Sequence, residues 1–426
     1  MSLTTRAFQV SSNAALVVLR RLDRYINGSN TGRSVAEARI DPYTGYAMLR
    51  ERGPVLRSYA SRGWFVVGFD AVKDAFKDPR FSNDVRKNRF LVRVLSAASG
   101  GNPVPTLDNP SMVTLDAPDH TRLRKLVSQG FTQRYIRSLE STISEIVDEC
   151  LEGLAADSPP FDIIERLARP LPAIVIAEML GLPREDRAQF QDWSNDLLGL
   201  TAIDNPKLIT RAAAANAEVI EYLKGIVERK RSQSGDGFIS SLIAAEEEGD
   251  RLTAEELYAT CALLLSAGHE TTTRLIANGL YLLLTHPQQL AALQADRSLM
   301  DNAIEEMLRF EPPVQFMVRF ALEDLQFYGK SIKKNQLLLL LIGSANRDEG
   351  ANPEAGTFDI TRENVQHVGF GHGPHLCLGL ALARLEARVA FNRVLDRFPG
   401  LQLAGEPVVW SQHALVRGVD RMMVRP

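Results

Sequence analysis

Ten residues near the C-terminal end, Phe370-Gly371-His372-Gly373-Pro374-His375-Leu376-Cys377-Leu378-Gly379, place one cysteine among glycines, histidines and an aromatic, directly ahead of a strongly helical stretch. That is a setting for a sulfur anion held against a flat cofactor. Phe370 can cover the sulfur from water and oxidation. The glycines permit the backbone angles and close approach needed to aim N–H groups at it. A helix start favours negative charge, and His375 can pair with an acidic group on the cofactor. Two plainer readings stand beside this one. A lone cysteine is often a small buried hydrophobe. His372, His375 and Cys377 are also possible zinc ligands, although no second Cys/His cluster of comparable spacing accompanies them.

A second constellation, Ala267-Gly268-His269-Glu270-Thr271-Thr272-Thr273, lies in the middle of a long apolar segment. Periodicity predicts a helix over 253–285, roughly 50 Å long at the α-helical rise. Thr253 and Glu256 form a capping-box start and His286-Pro287 the stop. Gly268 and three consecutive threonines are poor helix formers, so a local break in the hydrogen-bond ladder is expected there. The bland alternative is that Thr271 bonds back to a carbonyl and Gly268 eases helix packing.

The cysteine run fits the pattern Phe-Gly-x-Gly-x-His-x-Cys-x-Gly, whose six fixed identities arise by chance in about one such chain in 100,000. On these residues the sequence resembles the cytochromes P450, the haem-thiolate monooxygenases. The resemblance implies that Cys377 ligates the iron of haem b, its thiolate favouring O–O cleavage. Phe370, Gly371 and Gly379 would surround that ligand. Ala267, Gly268, Glu270 and Thr271 match the family's oxygen-binding groove, with Glu270 and Thr271 as its acid–alcohol pair. Reduced oxygen needs two protons before its O–O bond breaks; a hydroxyl can relay them while a carboxylate couples the site to solvent. His120 and Arg124 lie one turn apart in a segment that opens a helix, Arg319 lies in a strand after the double proline, and these match the propionate-binding positions together with His375. Arginine's planar fork suits a carboxylate. Glu306, Arg309 and Arg362 resemble the family's Glu-Arg-Arg structural triad, in which losing one partner strands a buried charge.

The elements that must position these groups are mostly helical. Helices are expected over 41–52, 70–77, 133–153, 166–181, 206–232, 253–285, 299–310 and 378–396. Short strands are expected over 54–59, 63–67, 315–321, 326–328 and 336–341. Residues 81–113 read as a long loop. The fold class implied is mainly α with a small β region, a single-domain cytochrome P450 fold whose long central helix lies over the haem. Residues 1–40 form an N-terminal arm, partly disordered, and 41–426 the haem-thiolate domain. With 426 residues, 45% hydrophobic, and a formal charge of −3, the composition is that of an ordinary globular protein and gives no sign of nucleic-acid binding. Three scattered cysteines fit a reducing, cytoplasmic location. The apolar run Ala14 to Leu19 is too short to span a bilayer.

The resemblance implies insertion of one oxygen atom from O2 into a hydrophobic small molecule, with NAD(P)H electrons delivered by a ferredoxin or flavodoxin and its reductase. A positive patch from Arg122, Lys125, Arg134, Arg137, Arg384 and Arg388 would receive that partner. The substrate would meet Leu91, Val92, Leu95, Leu197, Leu198, Leu263, Val314, Phe316 and Met317, with Arg86, Arg89 and Arg93 available to a carboxylate. A peroxide-driven haem peroxygenase and a non-catalytic haem sensor or carrier are the competing classes. If Cys377 is the iron ligand, the reduced, carbon-monoxide-treated protein shows the strongly red-shifted absorption of a sulfur-bound haem. Absence of that band in folded, haem-replete protein refutes the assignment.

Overall fold

The computed structural model describes residues 41–426 apart from 60–62, 99–104, 109, 198–205, 233–237, 248–251, 412 and 414. The expected N-terminal arm therefore lies outside the described residues, as does Leu198.

Five helices position the site: α1 (Asp119–Ser128), α2 (Pro170–Leu180), α3 (Ala254–Thr285), α4 (Met300–Phe310) and α5 (Leu380–Arg397). The capping box at Thr253 and Glu256 forms as expected, each side chain accepting from the other's backbone N–H. Its 32 residues make α3 the spine of the helical layer, packed against α2, α4 and α5. A large apolar core joins these helices, including Leu275, Ile276, Met307, Phe391 and Leu395. Among the described residues no helix is long and apolar enough to cross a membrane.

The largest of four small sheets among the described residues has five strands, β1 (Val55–Ser58), β2 (Gly63–Val66), β3 (Phe81–Ser82), β4 (Met317–Ala321) and β5 (Leu337–Leu340). Its order is β1-β2-β5-β4-β3, with only β2 and β5 parallel. Register sets Arg319 of β4 opposite Leu338 of β5. A second core of Val66, Val72, Phe76, Leu338, Leu340 and others lies beneath this sheet.

Three sequence expectations need correction. The helix over 253–285 has no break at Gly268, because packing on both flanks outweighs the weak local propensity. Residues 81–113 are not one long loop: after β3 they hold a helix at Arg89–Ala98 and a short turn of helix at Pro105–Asp108. Arg89–Ala98 is amphipathic, a pattern hidden by its flanking polar, Gly/Pro-bearing residues. The stretch 133–153 is two helices, Gln133–Ser138 and Glu140–Cys150, joined at Leu139.

The Glu-Arg-Arg triad assembles. Glu306 and Arg309 are wholly buried, and the carboxylate accepts two hydrogen bonds from the guanidinium, at 2.6 and 2.7 Å. Arg362 approaches the same carboxylate at 3.3 Å, and the Asp359 N–H donates to it at 2.9 Å. Arg309 further donates to the Asn346, Ala355 and Thr357 carbonyls. Replacing Glu306 by Ala strands two guanidinium groups with no carboxylate; a loss of about 3–5 kcal/mol is expected. The check is yield of folded protein and haem content per chain: a fully loaded, normally stable Glu306→Ala variant contradicts the scaffold role.

Candidate active site

α3, α1 and the loop before α5 enclose a cavity with about 1370 Å³ of atom-free space, part of it open to solvent. Cys377 lies on its wall with Phe370, Gly371, Gly379 and His375. Ala267, Gly268 and Thr271 line it from α3, and His120, Arg124 and Arg319 complete the set. Eleven of the twelve residues expected around a cofactor or its oxygen site, all but Glu270, thus line one cavity.

The cysteine loop is built as its residues dictate. Gly371 and Gly373 take φ of +73° and +71°, the left-handed region that disfavours side chains. A Cβ at Gly373 would also lie 2.9 Å from the Phe76 carbonyl oxygen. Gly379 differs: its φ is −83° and a Cβ there would meet no protein atom within 4 Å. Neither backbone nor packing demands glycine at 379, so close approach to something in the cavity is the remaining reason. The Cys377 N–H donates to the Phe370 carbonyl at 2.9 Å, closing the loop. Burial pushes the Cys377 thiol up; the Gly379 backbone N–H and the Arg124 and Arg384 charges pull the other way. A coordinating metal cation deprotonates such a thiol outright. The zinc alternative is not formed: His372, His375 and Cys377 do not converge, and no metal-binding group of His, Cys, Asp or Glu occurs among the described residues.

The basic side chains gather around two imidazoles in tilted contact. The His120 and His375 rings are 4.0 Å apart. Burial and then the His120 and Arg319 charges hold His375 down to about 3, and burial and Arg124 lower His120. Burial also brings Arg319 down to about 10. Its Nη1 donates to Asn83 Oδ1 at 2.7 Å and to the Val318 carbonyl. Arg124 donates to the Leu376 carbonyl at 2.6 Å, tying α1 to the cysteine loop. His120 Nε2 and Arg319 Nη2 are buried and meet no partner among the described residues. Buried donors without acceptors are costly, and the two carboxylates of a haem answer that demand. The residues present therefore fit this cofactor.

Across the cavity, Thr271 Oγ1 donates to the Ala267 carbonyl at 2.7 Å. A Cβ on Gly268 would lie 2.7 Å from Ile176 Cδ1 of α2. Both features of the bland reading are thus real, and they coexist with cavity-facing placement. Glu270 does not line the cavity. It is buried on the flank of α3, and Arg274 Nε donates to it at 2.6 Å.

Of the proposed substrate contacts, Leu263, Val314 and Met317 line the cavity, whereas Leu91, Val92, Leu95, Leu197 and Phe316 do not. Phe316 packs with Leu49, Leu56, Val67 and Leu341, on the far side of the sheet edge; alternation along an extended chain sends neighbours 316 and 317 to opposite faces. Ile176, Met112 and Leu264 line the cavity and were not anticipated. The signal for Ile176 was Gly268, whose missing side chain admits it. Glu386 was also missed: it lines the cavity, burial raises its carboxyl well above the usual range, and its Oε2 has no partner among the described residues. The positive patch is smaller than expected. Arg384 pairs with Glu305 and Arg388 with Asp301, each at 2.6 Å, and Arg122 pairs with Glu256. Lys125, Arg134 and Arg137 remain exposed.

A family model described as "Cytochrome P450" matches residues 105–409. The chain is 42% identical to the cytochrome P450 monooxygenase PikC of Streptomyces venezuelae, over 90% of this chain and 91% of that one. It is also 42% identical to the vitamin D(3) 25-hydroxylase of Pseudonocardia autotrophica, over 90% and 93%. The solved structure of the myxobacterial cytochrome P450 CYP267B1 in complex with myristic acid superposes with a TM-score of 0.84 at 36% identity, covering 91% of this chain and 97% of that one.

If the Thr271 hydroxyl serves the cavity rather than α3, Thr271→Ala keeps the haem spectrum and helix content while diverting reducing equivalents to hydrogen peroxide. Peroxide released per NADPH oxidised is the measure. An unchanged ratio assigns Thr271 to helix structure alone.

Proposed function

We propose, from the premise that this chain belongs to the cytochrome P450 family and is a haem-thiolate monooxygenase acting on a small molecule, that its substrate is neutral and largely apolar rather than a carboxylic acid. The observation that carries this is the segregation of charge in the cavity wall. Its basic side chains, His120, Arg124, Arg319 and His375, belong to the group suited to the propionates. The lining contributed by Met112, Val113, Ile176, Leu263, Val314 and Met317 is apolar. Arg86, once available to a carboxylate, is paired with Asp84 at 2.7 Å. A charged substrate would thus be desolvated against hydrocarbon without a partner.

The residues divide the work. Cys377 holds the iron, with Phe370 covering the loop and Gly371 and Gly379 bordering the ring; His120, Arg124, Arg319 and His375 hold the propionates. The haem, when bound, would supply activation of O2, from which the inserted oxygen atom comes. Ala267 and Gly268 keep side-chain bulk away from the oxygen side. Thr271 donates its proton to the Ala267 carbonyl, which leaves its oxygen lone pairs to accept from a water in the cavity. Glu270 replenishes that water's proton from solvent. Electrons arrive from NAD(P)H through a separate ferredoxin or flavodoxin, in the cytoplasm. Exposed Lys125, Arg134 and Arg137, with Leu376 37% exposed on the cysteine loop, suit an acidic partner there.

Optical titration of the ferric protein distinguishes the substrate classes. Vitamin D3, a neutral apolar probe, is expected to shift the Soret band to shorter wavelength and to bind at least about tenfold more tightly than myristic acid. Tighter binding of myristic acid overturns the neutral-substrate reading.

A further inference from the structure

α4 carries two acids in succession, Glu305 and Glu306, and they serve different partners. Glu306 takes Arg309 and Arg362 in the buried triad. Glu305, about 100° away around the helix axis, meets α5 instead. Arg384 grips it with both arms of its fork, Nε donating to Oε1 at 2.6 Å and Nη2 to Oε2 at 2.7 Å. One turn along, Asp301 takes Arg388 at 2.6 Å. Two ion pairs at four-residue spacing thus bridge α4 and α5.

The two pairs are alike in chemistry and unlike in surroundings. Arg388 and Asp301 are 38% and 70% exposed, a solvated rung of small consequence. Arg384 and Glu305 are 31% and 26% exposed, and the Arg384 guanidinium carbon stands 4.7 Å over the Phe370 ring, a cation on an aromatic face. His367 completes the site. Its Nδ1 accepts from the Gly369 N–H at 3.1 Å, so Nε2 is the protonated nitrogen and donates to Glu305 Oε2 at 3.0 Å. Burial pushes the Glu305 carboxyl up, yet Arg384 and His367 hold it down to about 2, so it is an anion at neutral pH. Phe370, beneath the guanidinium, accepts from the Cys377 N–H at 2.9 Å. The charge therefore rests on the sulfur's own loop.

We propose that Glu305 is a positioning residue that holds the Arg384 cation on Phe370, and that this cation eases reduction of an iron bound to Cys377. This rests on the reading of Cys377 as the iron ligand. A fixed positive charge beside the thiolate loop draws electron density from the sulfur and favours the state that carries one more electron. The step is transfer of a single electron from a ferredoxin or flavodoxin to ferric iron, with no bond made or broken. Glu305 offsets part of the charge, so the effect is modest. With both arms taken, Arg384 serves the loop rather than an acidic partner, unlike exposed Lys125, Arg134 and Arg137.

Spectroelectrochemical titration of the substrate-free holoenzyme tests this, with haem content and the carbon-monoxide band recorded for each variant. Arg384→Gln is expected to lower the one-electron reduction equilibrium constant about fivefold, or about 40 mV at 59 mV per tenfold. Glu305→Ala separates positioning from bare charge. Loss of an anion alone raises the potential, whereas release of Arg384 from Phe370 lowers it; a fall of about twofold is expected, smaller than that of Arg384→Gln. Arg388→Gln removes an equal charge on the next turn of α5 and is expected to change the constant by less than about 1.5-fold. A wild-type constant in Arg384→Gln, or an equal fall in Arg388→Gln, overturns the tuning role. A rise in Glu305→Ala overturns the positioning role. Failure of the Cys377 reading shows separately, as absence of the red-shifted carbon-monoxide band in wild type, and overturns the tuning of that ligand with it.

Discussion

One buried carboxylate, Glu306, fastens the whole thiolate side. It takes both arms of Arg309 and the Asp359 N–H, with Arg362 behind. Arg309 in turn gathers the carbonyls of Asn346, Ala355 and Thr357, pinning the irregular stretch 346–362 to α4. Side-chain amides continue the path. Asn352 bonds both the N–H and the carbonyl of Gln366, and Asn346 Oδ1 accepts from the Val368 N–H at 2.8 Å. Two residues later begins the loop that carries Cys377. A segment without helix or strand cannot fix itself by backbone pairing, so its carbonyls and N–H groups are met by buried side chains. The triad adds little net stability by its charges alone; what it contributes is a single geometry for a loop that must place one sulfur.

The cavity side rests on the opposite device, a long regular helix. Continuity of α3 through Gly268 and the threonines puts Leu263, Ala267, Thr271 and Leu275 on one face at four-residue intervals. The helix survives its poor formers because α2 and α5 pack against it over much of its length. Gly268 is then less a breaker than a socket for Ile176. A rigid rod on one side and a side-chain-pinned loop on the other hold the two walls of the site in register.

Much of this was legible in the residues. The cysteine run, the Ala-Gly-x-Glu-Thr segment and the Glu306-Arg309-Arg362 set each carry unusual residue types at fixed spacing; the first and third assemble in space, and the second brings Ala267, Gly268 and Thr271, but not Glu270, to the cavity. Legibility failed where meaning depended on a partner distant in sequence. Nothing near Arg384 announces Glu305, 79 residues earlier, whose carboxyl resists burial and is drawn down to about 2 by Arg384 and His367. Helix Arg89–Ala98 was masked by its surroundings, and Phe316 was misassigned because strand phase flips with a single residue. Glu386 carries no local signal in the sequence; only the packing of α5 turns Leu382, Ala383 and Glu386 inward.

That last stripe bears on how the cavity treats charge. Gly379, Leu382, Ala383 and Glu386 recur at helical spacing and follow Cys377 along α5. The first three are apolar, and burial raises the carboxyl of the fourth well above the usual range. Basic side chains in the cavity wall are confined to the His120, Arg124, Arg319 and His375 group. Burial disfavours negative charge on the wall: it raises the Glu386 carboxyl, and Glu270 is turned away onto Arg274. An anionic ring edge and a sulfur ligand can be accommodated in such a space only if no other fixed anion competes for those cations. The cavity is therefore arranged for a cofactor that brings its own negative charge, and for a second occupant that brings none.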